Sequence, residues 1–155
     1  LMAIIPAVML TFDEEKFLFS GYEKIIIYPT AFPSPQYPNN FHHSESFSED
    51  GVLLFSAQAI FQGYMNPINH YPVTAHEWSK IYLAQNADRK WPQGEEAWWE
   101  TLAAISGWDK TCIFECIGRP DIEILPAVIV HLLYFPKPTM EKFPDIFSLL
   151  HAKDL

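Results

Sequence analysis

His76 and Glu77 stand side by side in the run Thr74-Ala75-His76-Glu77-Trp78-Ser79-Lys80-Ile81. Together they read as the first half of a zinc-binding helix whose second half is rewritten. In an H-E-x-x-H helix the imidazoles at i and i+4 share one face and bind Zn²⁺, while the Glu activates the metal-bound water. Here position i+4 is Lys80. An ammonium binds no metal until it loses a proton, and its unperturbed pKa is about 10.4. The residues are therefore either part of a metal site completed from elsewhere or a metal-free ion pair. Each also has an ordinary role: His76 as a core histidine bonded to a backbone carbonyl, and Glu77 with Lys80 as an i,i+3 surface pair worth about 0.3 kcal/mol.

The helix that must carry them spans roughly Val73–Ala84, with Pro72 in its first turn and Ala75, Trp78, Ile81 and Tyr82 as an apolar stripe. Upstream, Lys24–Tyr28 is β-branched and aromatic and predicts a central strand, and Val52–Phe55 predicts a second. Leu1–Leu10 reads as a buried helix broken or kinked at Pro6, and Phe12–Phe19 sets Asp13, Glu14, Glu15 and Lys16 between aromatics. Pro33, Pro35 and Pro38 make Thr30–Asn40 a surface loop; His42-His43 follows as a solvated pair whose side chains diverge, then a polar Ser44–Asp50. A short helix is expected over Ala57–Gln62, a polar turn over Asn86–Gly94, and a helix over Glu95–Ile105 capped by Gly107. Thr111–Gly118 is a short apolar segment, and Arg119-Pro120-Asp121 opens a long helix to Tyr134 that Pro126 should bend. Phe143–Ala152 closes the chain as a helix. Early strands followed by helices predict a single α+β domain over residues 1–155.

Composition narrows the function classes. With 155 residues and 49% hydrophobic content a packed core is expected, and a net charge of −9 argues against nucleic acid or an anionic membrane as partner. No apolar run approaches the roughly 20 residues that span a bilayer. Leu1–Leu10 lacks the basic start and small-residue cleavage site of a signal peptide, and the opening Leu1 points to a fragment or a processed product. Cys112 and Cys116 are too few for a disulfide framework and read as reduced thiols of a cytoplasmic protein.

Several stretches, in order, resemble the Mlc titration factor A family of zinc-dependent peptidases. Gly21 to Phe32 (GYEKIIIYPTAF) is similar to the family's strand, Ser46-Phe47 with Gly51–Phe55 to its next strand, and His76-Glu77 falls where its H-E-x-x-H falls. Asp121-Ile122-Glu123, Ala127-Val128, Pro136 and Phe143-Pro144-Asp145 run parallel to its later helix and closing turn. The resemblance covers nearly the whole chain, without an N-terminal helical portion usual in the family. It implies a zincin-like fold in which a small twisted sheet packs against helices, including the motif helix. It further implies His76 and Glu123 as zinc ligands and Glu77 as the general base. Three positions depart from the family: Lys80 replaces the second His, Cys116 stands where a Tyr is usual, and Val130 replaces a second Glu.

These departures leave two zinc ligands where a catalytic site normally holds three. The favoured expectation is a degenerate peptidase that holds no metal. Lys80 would pair with Glu77 or Glu123 in place of zinc, and the chain would bind a peptide or protein, with a transcriptional regulator among the partners the resemblance implies. The alternative is an active zinc (amino)peptidase rebuilt on His76, Glu123 and Cys116, since thiolate suits zinc; His131 is spare but points elsewhere. A third expectation places function on another surface, such as the proline-rich loop.

Overall fold

The computed structural model describes residues 1–12 and 19–152. The charged stretch expected between Phe12 and Phe19 falls largely outside the described residues. Two short apolar strands and one polar strand form the sheet: β1 (Lys24–Tyr28), β2 (Ser44–Phe47) and β3 (Val52–Ser56), after a first helix α1 (Ile5–Thr11). The sheet order is β1-β3-β2, with β3 parallel to β1 and antiparallel to β2. Seven further helices follow: α2 (Ala57–Met65), α3 (Val73–Gln85), α4 (Trp98–Ser106), α5 (Lys110–Ile117), α6 (Ile124–Tyr134), α7 (Pro136–Lys142) and α8 (Pro144–Leu150). The chain is thus α+β. No described helix is long and apolar enough to cross a membrane.

Helix α3 is the hub. It packs against α6, α1, α2 and β2, and nine of its residues are buried, Thr74, His76, Glu77 and Ser79 among them. A helix enclosed on every side cannot be amphipathic, so its polar residues must find partners inside the protein. Ser79 does so locally, donating to the Ala75 carbonyl at 2.7 Å, and Trp78 Nε1 donates to the Ala3 carbonyl at 2.7 Å. Leu53 and Phe55 of β3 and Ala127–Val130 of α6 are buried in the same core.

The structure corrects several expectations. Lys24–Tyr28 is an edge strand, and the central position belongs to β3. Both are apolar runs, and composition alone does not tell them apart. Ser44–Phe47, expected as a polar segment, is β2. Its Ser44 and Glu45 are buried, because their side chains bond inward. Helix α1 is buried on one face only: Pro6, Ala7 and Leu10 face the core, while Val8 and Met9 are exposed. Its Pro6 lies in the first turn and breaks nothing. The last long helix begins at Ile124, not Pro120, so Pro126 also lies in a first turn, where its missing N–H has no intrahelical acceptor to lose. Helix α7 was not foreseen; Pro136 and Pro138 open it instead of excluding it. The polar Asn86–Gly94 turn holds a 3₁₀ turn at Ala87–Arg89 that ends on Lys90 in a left-handed conformation.

Candidate functional site

The carboxylate of Glu77 is fully buried, and both its oxygens are engaged. Lys80, one turn on, donates from Nζ to Oε2 at 3.1 Å. Ser44 of β2 donates from Oγ to Oε1 at 3.1 Å. Arg119, directly after α5, sets Nη2 2.9 Å from the same Oε1. That last contact is an ion pair whose N–H directions fall short of a well-aligned hydrogen bond, since Arg119 Nε and Nη2 both remain without a bonded acceptor. Asp121 Oδ1 lies 3.4 Å from Arg119 Nε, so two cations and two anions neutralise one another. Burial on its own would raise the Glu77 pKa, but Lys80 and Arg119 outweigh it and hold the carboxyl down to about 2. The pair expected on the surface of the helix is therefore interior at its acid end, and only Lys80 reaches solvent, with its side chain 27% exposed.

Gly118 delivers Arg119 to this place. It ends α5 at φ +82°, and a Cβ there would lie 2.7 Å from the Phe41 carbonyl oxygen and 2.9 Å from His42 Cα. Only glycine accepts both the backbone angle and the close approach.

His76 is fully buried on the same helix. Its Nδ1 meets the Tyr71 hydroxyl at 2.8 Å, and its Nε2 is buried with no bonding partner. Burial pushes its pKa down to about 3, so the ring is neutral; the same cause holds the Tyr71 phenol well above its ordinary value. On the β2 side, His42 Nε2 contacts Glu45 Oε2 at 3.0 Å and its Nδ1 contacts the Asn40 carbonyl at 3.1 Å. Both His42 and Glu45 are buried. His43 Nδ1 meets Ser56 Oγ at 2.7 Å. Expected as a solvated pair, these histidines are structural because Phe32 and His42 form a backbone bridge that draws the segment inward.

The remaining sequence-derived site residues stand apart. Glu123 is exposed at the N-cap of α6 and makes no capping hydrogen bond. Cys116 is buried, with Sγ 3.7 Å from His70 Nδ1, and burial pushes its thiol pKa up to about 11. Among the described residues no group of three or more His, Cys, Asp and Glu could hold a metal ion. His76, Glu123 and Cys116 thus form no such group, and the charges beside the Glu77 carboxylate are the Lys80 and Arg119 cations. The residues present do not fit zinc. With both oxygens bonded and the side chain fully buried, Glu77 does not face solvent water as a general base would.

Sequence reasoning had not singled out Arg119, Ser44 or Tyr71. Arg119 carried one usable signal, a cation locked between a helix-stopping Gly118 and Pro120. Ser44 and Tyr71 carried none. Comparison of the chain with protein-family models found no match, and neither did comparison with curated proteins or with solved structures.

Proposed function

We propose that this chain is a degenerate zincin-like peptidase that acts as a peptide- or protein-binding, regulatory module. The observation that carries the proposal is the buried Glu77 carboxylate, held by Lys80 Nζ at 3.1 Å and Arg119 Nη2 at 2.9 Å. A general base in a metallopeptidase must face a metal-bound water, and this one faces two cations. Keeping the acid charged in the interior without a metal requires such partners. The order of elements, with a small sheet beside a helix bearing His76-Glu77, supports the zincin-like reading by resemblance. Beside the buried carboxylate, Lys80, with its side chain 27% exposed, and the half-exposed Asp121 are the groups a ligand would meet. Two free thiols support a reducing, cytoplasmic setting.

The test is metal content by mass spectrometry, with and without added zinc, alongside hydrolysis of an unfolded protein substrate. No stoichiometric zinc and no hydrolysis are expected. Near one zinc per chain, lost on His76→Ala, would overturn the proposal. For the binding half, a displayed library of random peptides panned on the native chain should yield sequences whose capture is lost on Lys80→Glu. A library that yields none would overturn that half.

A further inference from the structure

Strand β1 lies at the edge of the sheet, and among the described residues its outer side pairs with no other strand. The Lys24 N–H is turned toward the Gly51 carbonyl at 3.2 Å, and Lys24 is in register with Val52 of β3. By alternation, Ile26 and Tyr28 also direct their backbone toward β3, leaving the N–H and C=O of Ile25 and Ile27 directed outward. Natural edge strands are blunted by central charges, prolines or bulges. Here the charge and the proline stand only at the two ends, Lys24 and Pro29, and the Ile26, Ile27 and Tyr28 between them are 44%, 54% and 40% exposed.

We infer that β1 pairs antiparallel with β1 of a second copy of this chain, joining two three-stranded sheets across a two-fold axis at Ile26. The second copy is the favoured occupant because the strand Lys-Ile-Ile-Ile-Tyr is complementary to itself about its middle residue. Ile25 faces Ile27 of the other copy, and the two exchange both backbone hydrogen bonds on each side of the axis. Lys24 faces the other copy's Tyr28, setting an ammonium beside an aromatic ring, with no like charges opposed although each chain carries −9. Pro29, next in line, has no N–H to leave unpaired. A specific interface needs more than about 1,000 Å², which five residues of strand do not supply. A groove lined by Ile4, Val8, Tyr22 and Ile25 adjoins the strand at Ile25 and adds apolar surface there. The inference does not depend on the reading of the Glu77 site.

Size-exclusion chromatography with light scattering tests it on the whole chain. A dimer is expected that weakens at least tenfold in Ile26→Lys, which opposes two ammonium groups at the axis. In a second arm, Ile26→Cys should form a disulfide-linked dimer on mild oxidation, because residues facing each other at a non-hydrogen-bonded antiparallel position lie about 4.5 Å apart at Cα. The native chain and Phe61→Cys, exposed on α2, should not. A native monomer at the highest soluble concentration, open-ended oligomers, or equal cross-linking in Phe61→Cys would each overturn the inference.

Discussion

Helices α3 and α6 pack together at the centre of the protein, and each buries one histidine completely. The two side chains are treated differently. His131 on α6 uses both nitrogens: Nδ1 donates to the Ala127 carbonyl at 2.7 Å, which fixes the tautomer, and Nε2 accepts from Ser106 Oγ at 2.8 Å. His76 on α3 uses one, and its Nε2 stays unpaired. Trp108 lies between the two regions, its ring 5.4 Å from that of His131 and 5.5 Å from that of Tyr71. A histidine satisfied at both nitrogens is a fixed part of the core, whereas a buried ring nitrogen left unpaired costs about 1–3 kcal/mol. The same contrast separates the neutral network at Ser106 from the charged one at Glu77.

The largest test of this contrast is Arg119→Gln. It leaves Glu77 with Lys80 as its remaining cation and should cost about 3–5 kcal/mol in denaturant unfolding. Glu77→Leu combined with Arg119→Met should recover much of that loss, because both fully buried charges go together and only the partly solvated Lys80 and Asp121 remain. A single substitution no worse than one on the surface would show that Arg119 does not hold the carboxylate. Next in size, His131→Leu should destabilise more than His76→Leu by about 1 kcal/mol, since the first removes two bonds and the second one. Equal losses would erase the distinction between the helices.

Acid sharpens the comparison further. His76 and His131 stay neutral in the fold down to about 3 and about 4, below the ordinary 6.5. The unfolded chain therefore binds more protons as the pH falls below 6.5, and stability declines by up to about 1.4 kcal/mol per pH unit for each ring. Glu77, held at about 2 against an ordinary 4.5, contributes stability that is present above 4.5 and lost as the pH falls toward 2. Replacing either histidine by Leu should flatten the upper part of the stability profile, and Glu77→Gln only the lower part. The smallest effect belongs to Lys80→Gln. Its ammonium is partly solvated and Arg119 remains, so a loss of about 1 kcal/mol or less is expected in thermal unfolding.

Much of the helical frame was legible. Pro72 with an apolar stripe marks α3, and Gly107, in a left-handed conformation, ends α4 where the pattern stops. Strand β2 was not legible, because Ser44 and Glu45 are buried polar residues, the first bonded to Glu77, distant in the chain, and the second to His42 just before the strand. The ion pair between Glu77 and Lys80 follows from one helical turn, while the guanidinium that completes it arrives from beyond α5 and leaves no local spacing to read. Exposure of Glu123 was equally hidden. An acid at a helix N-terminus suits the helix dipole whether it faces a site or solvent.

The three-way hold on Glu77 also has a consequence for the order of folding. Ser44, Lys80 and Arg119 reach the carboxylate from β2, from α3 and from the turn after α5, and only Lys80 is local. Until the chain has closed through Gly118, Glu77 keeps its water, because drying it beside a lone ammonium is unfavourable. Drying the inner face of α3 is therefore coupled to the docking of both β2 and the end of α5 onto it.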